Sequence, residues 1–207
     1  HPNPVDPDTL KLLNEQVHSA GAECGIGFDG DGDRIGVIDK NGRQVSGDLL
    51  TAFLSLDILD RHKGAEILFD VKSSSTALDI VRQAGGKAHL WRTGHSHMKK
   101  RLKELGAPLA GEMSGHIFIA DDFYGFDDAL YVACRFLSRL THMKQKGNES
   151  LTDFLDRLPP SFTTPECHIH CPDNEKFHAV ERLSQQIGAE MPAEQMNLID
   201  GVRLTTA

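Results

Sequence analysis

Short apolar runs alternate with helical segments along the middle of the chain, and this alternation most limits the possible folds. Strands are predicted at 67–71, 88–91, 109–112 and 117–119, and helices at 48–64, 73–85, 95–105 and 127–140. Strands that alternate with helices form mainly parallel sheets, and continuous apolar runs are typical of strands covered on both faces. We therefore predict an α/β fold, with a mainly parallel mixed sheet and helices on both faces. Asp48 and the serines at 73–75 are the predicted caps of the first two helices.

Polar side chains follow the predicted strands at the edge where open α/β sheets bind their ligands. Lys72 follows the first strand at a helix N-terminus, His95 follows the second, and the loop 111–116 follows the third. Any one of them can be a capped loop, a solvated lysine or a surface histidine. Together they favour a small, polar, phosphorylated ligand.

An acidic loop precedes this region, with carboxylates at alternate positions, Asp29, Asp31 and Asp33, and a guanidinium directly after them at Arg34. The intervening glycines allow a tight turn, so the carboxylates can converge on a hard cation such as Mg²⁺. Arg34 could then bind a phosphate oxygen of the ligand. Predicted strands at 24–28 and 35–38 hold the loop, and the second leads into a predicted hairpin at 41–42.

The acidic loop has two other interpretations, a solvated turn and a calcium loop. A solvated acidic turn stays open on the motif alone. A calcium loop of the EF-hand kind requires glycine at its sixth position and glutamate at its twelfth, where this chain has Arg34 and Lys40.

Composition disfavours several classes of partner. A net charge of −8 argues against nucleic acid, and neither a membrane-spanning run nor a secretory signal pattern is present in the sequence. The four cysteines are scattered, which favours thiols in a reducing cytoplasm. The run 167–171 contains two of them and two histidines, but it is predicted as a strand that divides these groups between two faces, so zinc is disfavoured.

The pattern changes after residue 158. Prolines and threonines at 159–165 predict a linker, followed by the strand at 167–171, a helix at about 174–187 and a final strand at 196–199.

The loops at 29–34, 93–96 and 111–116, in this order and spacing, resemble the α-D-phosphohexomutases. The chain is most similar to the bacterial phosphomannomutase/phosphoglucomutase branch of that family. The resemblance covers almost the whole chain, including His1-Pro2-Asn3-Pro4 and the segment 200–203.

The resemblance implies a role for each residue of these loops. Asp29, Asp31 and Asp33 are the implied Mg²⁺ ligands, together with a phosphoserine, and Arg34 is implied in the electrostatics of phosphoryl transfer. The implied substrate-binding residues are Lys72, His95, Glu112, Met113, Ser114, Gly115 and His116. Met113 favours the glucose/mannose branch, because glucosamine mutases usually carry glutamine there.

The resemblance also implies how the chain divides. Residues 1–43 correspond to the end of domain 2 with the metal loop, 44–155 to domain 3 with the sugar loop, and 156–207 to the start of domain 4. The family's serine-bearing loop and its phosphate-binding loop in domain 4 do not occur in this sequence. We therefore expect a fragment that is inactive by itself.

The implied activity is interconversion of hexose 1-phosphate and hexose 6-phosphate through phosphoserine and a bisphosphorylated sugar. Glucose 1,6-bisphosphate is the implied activator and intermediate. A phosphoglucosamine mutase and a non-catalytic module that binds metal and sugar phosphate remain as alternatives. A haloacid-dehalogenase-type phosphatase is disfavoured, because Gly32 and Arg34 do not supply its nucleophile loop. The preferred sugar, the general base and the oligomeric state stay open.

Overall fold

The computed structural model describes residues 3–160, 167 and 169–205, and the chain separates into two units, His1–Pro159 and Pro160–Ala207. The strands are β1 (Cys24–Phe28), β2 (Ile35–Asp39), β3 (Gln44–Val45), β4 (Glu66–Asp70), β5 (Lys87–Trp91), β6 (Leu109–Gly111), β7 (Ile117–Ile119), β8 (Met196–Asn197) and β9 (Arg203–Leu204). The helices are α1 (Lys11–Ala20), α2 (Gly47–Arg61), α3 (Ser75–Gln83), α4 (His95–Leu105), α5 (Ala129–Gly147), α6 (Leu151–Asp156) and α7 (Lys176–Glu190), with short 3-10 helices at Pro7–Leu10 and Ala193–Gln195.

The central sheet has four strands in the order β5-β4-β6-β7. Strand β4 pairs in parallel with β5 and β6, and β7 runs antiparallel to β6. Ile67 and Phe69 pack in the core that includes α2, α3 and α5, whereas Leu68 packs in the core that includes α4. Helices therefore cover both faces, and the predicted mainly parallel mixed sheet is confirmed.

A second, antiparallel sheet of the order β1-β2-β3 carries the acidic loop between its first two strands. Gly42 has a φ of 78° in the hairpin between β2 and β3, as the predicted Asn-Gly turn requires. The fully buried Asp39 carboxylate accepts hydrogen bonds from the backbone N–H groups of Asn41 and Arg43 and from the Arg43 guanidinium. Side-chain and backbone interactions thus fix the hairpin together.

Helix α1 was not predicted from the sequence. It packs on the second sheet through Val17 and the partly buried Leu13, next to Leu10 and Ile38. Leu10, Leu13 and Val17 have the helical spacing of three and four residues that could have indicated it.

Asp48 is predicted as the N-cap of helix α2, and this position is wrong. Ser46 is the N-cap residue of α2, with an extended backbone, and Asp48 lies inside the first turn. Its Oδ1 accepts the N–H of Leu49 in that turn at 2.8 Å, and its Oδ2 accepts the backbone N–H of Ser74 at 2.7 Å, so it also links α2 to the segment before α3. Ser74 does cap α3, by accepting the N–H of Ala77. Helix α5 begins at Ala129, after its cap Asp128, slightly later than predicted.

The unit Pro160–Ala207 contains helix α7 and the antiparallel pair of β8 and β9. The strand predicted at 167–171 is wrong for the described positions 167 and 169–171, which belong to no strand. Ile169 is 89% exposed, so no sheet face covers this run. Most of the predicted linker, at 161–166, lies outside the described residues.

No helix in the described ranges combines the length and apolarity that crossing a bilayer requires.

An ion-pair cluster joins the last turn of α2 to α5. Asp121 is largely buried and accepts hydrogen bonds from the guanidinium groups of Arg61, at 2.5 Å, and Arg135, at 2.7 Å. Burial raises the pKa of Asp121, but the two arginines outweigh it and hold that pKa below its usual range.

Phe53 of α2 is fully buried and packs against the rings of Phe136 and Phe154, with centroids 5.6 and 5.1 Å away. We predict that Phe53→Ala lowers the free energy of unfolding by about 3–5 kcal/mol, because it removes buried area and leaves a cavity. Urea unfolding measures this change. Leu130→Ala is the control, because Leu130 is 63% exposed, and a similar loss in both variants would contradict the assigned core.

Candidate functional site

The acidic loop is folded around the Asp29 carboxylate, whose side chain is only 2% exposed. Its Oδ1 accepts the backbone N–H groups of Gly32, Asp33 and Arg34 at 3.1–3.2 Å, and its Oδ2 accepts Arg34 Nε at 2.7 Å. Burial opposes the charged form, but the hydrogen bonds from Arg34 outweigh it and lower the pKa of Asp29 to about 2. The loop therefore keeps this carboxylate ionised and its own shape fixed.

The three carboxylates of the loop come together. One oxygen each from Asp29, Asp31 and Asp33 lies within 4.8 Å of the others. Burial, followed by the neighbouring Asp29 and Asp31, raises the pKa of Asp33. A hard divalent cation neutralises the negative charges of neighbouring carboxylates and binds their oxygens as ligands. These three residues therefore fit Mg²⁺.

Arg34 is held on two sides. Besides its bond to Asp29, its Nη1 donates to Asn3 Oδ1 at 3.2 Å. The next residue, Pro4, lies against Gly36 of β2, and its carbonyl accepts the side chain of Gln44 at 3.1 Å. The start of the described chain therefore positions the guanidinium.

The loop 112–116 is joined to the acidic loop by its backbone. Ile35 N donates to Gly115 O at 3.1 Å, and Arg34 and His116 form an antiparallel bridge. Gly115 has a φ of 91°, and a Cβ at this position would lie 2.7 Å from Ile35 O. Only glycine allows both this backbone conformation and this close approach. The metal-loop and sugar-loop candidates therefore meet at one place.

His116 lies beside one carboxylate of the acidic loop and one carboxylate of the segment before α5. Its Nδ1 lies 3.7 Å from Asp33 Oδ2 and 3.1 Å from Asp127 Oδ2, and Asp127 also pairs with Lys99 at 2.9 Å. The ring of the exposed His95 stacks on His116 with centroids 6.0 Å apart. The two predicted histidines therefore lie side by side, next to the acidic loop.

Glu112 is 2% exposed, and both of its oxygens already have partners. Oε1 accepts the N–H of Gly94 at 2.5 Å, and Oε2 accepts the hydroxyl of Ser114 at 3.2 Å. The carboxylate thus fixes the turn that precedes His95. Each oxygen has a second lone pair, so a ligand hydroxyl can still donate to it.

Lys72 is exposed in the loop after β4, and the buried Asp70 connects this loop to the loop 112–116. Asp70 Oδ1 accepts the hydroxyl of Ser73 at 2.7 Å, and its Oδ2 accepts the N–H of Met113 at 3.4 Å. Burial raises the pKa of Asp70 to about 6, against the two hydrogen bonds that favour its ionised form. Asp70 is predicted from the sequence to lie inside a strand, and no role is predicted for it.

Sequence reasoning also assigned no role to the side chains of Asp127 and Lys99. Asp70 could have been noticed as a carboxylate at the end of an apolar run, but Asp127 carries no such signal.

A cavity of about 900 Å³ lies away from these loops, where Glu66, Pro108 and Ala120 mark the other ends of the central strands.

Comparison with known proteins assigns the class. Residues 46–162 match the family model "Phosphoglucomutase/phosphomannomutase, alpha/beta/alpha domain III", and residues 1–42 match that of domain II. The chain belongs to this phosphohexomutase family, as its sequence motifs predict.

Two relatives and one solved structure illustrate the similarity. A phosphomannomutase/phosphoglucomutase of Pseudomonas putida is 42% identical over 207 residues, which are 100% of this chain and 43% of that protein. A phosphoglucomutase of Neisseria gonorrhoeae is 38% identical over 99% of this chain and 43% of its own length. A family protein from Burkholderia thailandensis superposes with a TM-score of 0.84 at 38% identity, over 99% of this chain and 42% of that one. The chain thus spans less than half the length of the curated relatives it matches.

The raised pKa of Asp70 predicts how stability depends on pH. Because this pKa is about 6 in the folded state, against an ordinary value of 3.8, the folded protein binds the proton more tightly. The resulting stabilisation is fully present below about pH 4 and is lost as pH rises through 6. The stability of wild type relative to Asp70→Asn should therefore fall by about 3 kcal/mol from pH 4 to pH 8.

Urea unfolding followed by the fluorescence of Trp91, the single tryptophan, measures this difference, because Trp91 pairs with Asp70 across β4 and β5. Asp39→Asn is the matched control with the opposite sign. Burial opposes the charge of Asp39, but hydrogen bonds from Arg43 outweigh it and lower its pKa, so its stabilisation is lost as pH falls. An unchanged difference for Asp70→Asn would contradict the raised pKa.

Proposed function

We propose that this chain forms the metal- and sugar-binding part of an enzyme that interconverts hexose 1-phosphate and hexose 6-phosphate. The observation that carries the proposal is the backbone junction of Ile35 with Gly115, which brings the acidic loop and the loop 112–116 together. The names of the relatives support the same activity. Glucose 1,6-bisphosphate is the proposed intermediate and activator, and the proposed location is the cytoplasm.

Asp29, Asp31 and Asp33 are the residues that would hold Mg²⁺. When bound there, the ion would offset negative charge on phosphoryl oxygens during transfer. Asp29 contributes in a second way, because it holds Arg34 Nε while Asn3 holds Nη1. This grip fixes the plane of the guanidinium, so that its remaining donors can meet a phosphate oxygen without losing side-chain entropy at that moment.

The sugar is the proposed ligand of the neighbouring loops. Glu112, Ser114 and His116 would accept or donate hydrogen bonds to its hydroxyls, and Lys72 and His95 would contact the phosphosugar from the next loops. Met113 and Gly115 belong to the same loop, and Met113 supports glucose or mannose over glucosamine. The positions of these loops at the carboxyl ends of β4, β5 and β6 support a shared ligand.

The phosphoryl carrier is proposed to lie in another domain of the enzyme, since the serine loop that the family resemblance implies does not occur in these 207 residues. Three serines in the loops of the site serve other contacts: Ser73 donates to Asp70, Ser74 caps α3 and Ser114 donates to Glu112. The division into residues 1–43, 44–155 and 156–207 also stays a proposal. The family matches at 1–42 and 46–162 support its first boundary.

The metal site can be tested directly. Asp31→Asn should weaken Mg²⁺ binding by about tenfold or more, because it removes one charged ligand from the three. Isothermal titration with MgCl₂ measures the affinity. Asp122→Asn is the control, because Asp122 is an exposed aspartate, 88% accessible, outside the loop. Equal affinities in both variants would remove the acidic loop as the metal site.

The activity is tested in two proteins. The 207-residue chain alone should not convert glucose 1-phosphate to glucose 6-phosphate, and turnover near the typical 10 s⁻¹ or so would show that a nucleophile has been missed. A chimera in which residues 1–207 replace the matching segment of the Pseudomonas putida relative should be active. Glu112→Ala in that chimera should lower kcat/KM by about 10- to 150-fold, or roughly 1.5–3 kcal/mol, for the loss of a charge-assisted hydrogen bond.

An inactive chimera that is folded would refute the mutase function and leave the non-catalytic binding module. Conversion of glucosamine phosphates in preference to glucose phosphates would favour the phosphoglucosamine mutase instead.

A further inference from the structure

Two fully buried carboxylates, Asp48 and Asp70, lie beneath the loops of the proposed site. Asp48 Oδ2 accepts the backbone N–H of Ser74 at 2.7 Å, and its Oδ1 accepts the hydroxyl of Ser46 and the N–H of Leu49. Asp48 therefore attaches the first turn of α2 to the segment that carries Lys72.

Asp70 holds the same segment through the neighbouring residue. Its Oδ1 accepts the hydroxyl of Ser73, and its Oδ2 accepts the N–H of Met113 in the loop 112–116. The charges of Glu112 and Lys72 also act on this carboxylate. A single side chain thus contacts the Lys72 loop and the sugar-loop candidate.

Gly47, in the first turn of α2, lies directly against the loop 112–116. A Cβ on Gly47 would collide with Glu112 O and would lie 3.1 Å from both Met113 O and Gly115 N. The N-terminal turn of α2 is consequently in direct backbone contact with the loop 112–116, with no side chain between them. Helix α2, the Lys72 segment and the sugar-loop candidate form one packed unit.

Stability alone is a poor explanation for Asp70. Burial raises its pKa to about 6, so above that pH the ionised carboxylate lowers the stability of the fold. A neutral side chain of similar size would avoid this loss. What the carboxylate supplies is acceptors for two donors on two different loops.

We propose that Asp48 and Asp70 are positioning residues, which fix Lys72 relative to Glu112 so that both contact the same phosphosugar. This inference rests on the proposed function for the identity of the ligand. It predicts that either carboxylate can be removed with the fold intact, while the relative positions of the two loops become variable.

The test uses Asp48→Ala and Asp70→Ala in the 207-residue chain, with Asp39→Ala as the matched control. Asp39 is an equally buried carboxylate, but it holds Arg43 and Thr152 instead of these loops. Amide hydrogen exchange is measured by NMR and compared with the exchange of Phe69 in the core. Relative to that reference, Asp48→Ala should speed exchange at Ser74 by about tenfold or more, and Asp70→Ala should do so at Met113. Asp39→Ala should change neither amide.

The second measurement is binding of glucose 1-phosphate, followed by NMR shifts at millimolar ligand. Both variants should raise Kd by about tenfold, and Asp39→Ala should leave it unchanged. Faster exchange with an unchanged Kd would reduce the pair to a structural role and overturn the proposal, as would unchanged exchange at Ser74 and Met113.

The matching Asp→Asn variants decide the question if an alanine variant fails to fold. Each keeps one acceptor oxygen, so we expect a smaller effect in the same direction, and no effect would count against positioning. The absence of binding by the wild-type chain would instead refute its ligand assignment, and the exchange rates would still decide whether the carboxylates hold the loops.

Discussion

The contact between Ile35 N and Gly115 O is the constraint on which the candidate site depends. It joins the antiparallel sheet with the acidic loop to the mixed central sheet with the loop 112–116, across 80 positions of sequence. The adjacent bridge of Arg34 with His116 extends the junction by one residue on each side. Since backbone groups make this contact, its specificity depends on the absence of a side chain at Gly115. Either loop without the junction would present only its own donors and acceptors to a ligand.

The sequence predicted the elements of the fold better than the interactions between them. Apolar runs such as 67–69 indicated strands because burial on both faces requires continuous apolar residues. Loop positions followed from the order of the strands, and the motifs indicated the chemistry. Asp48 is predicted as a cap, but it also accepts the N–H of Ser74, which is distant in sequence and cannot be found from local spacing. Buried polar pairs are chosen by tertiary geometry, so a pattern of hydrophobic periodicity does not reveal them.

Glu112 illustrates the same limit in the site itself. The motif indicates a carboxylate at the sugar loop, and the resemblance gives it a ligand. In the folded chain this carboxylate is buried and holds Gly94 N and Ser114 Oγ. Its two tasks are compatible, because a carboxylate has about four acceptor positions. Because Glu112 also shapes its own loop, its removal is expected to weaken binding by more than the loss of its contact with the ligand.

The direct contact of Gly47 with the loop 112–116 has a mechanical consequence. Because no side chain separates Gly47 from the loop 112–116, the loop cannot move toward α2 unless the whole helix moves with it. That helix has 15 residues and a length of roughly 22 Å, and its far end carries Arg61, which is joined to Asp121. A displacement of the loop 112–116 toward α2 would therefore move the whole helix, and with it the ion pair of Arg61 and Asp121 at the other end of the sheet.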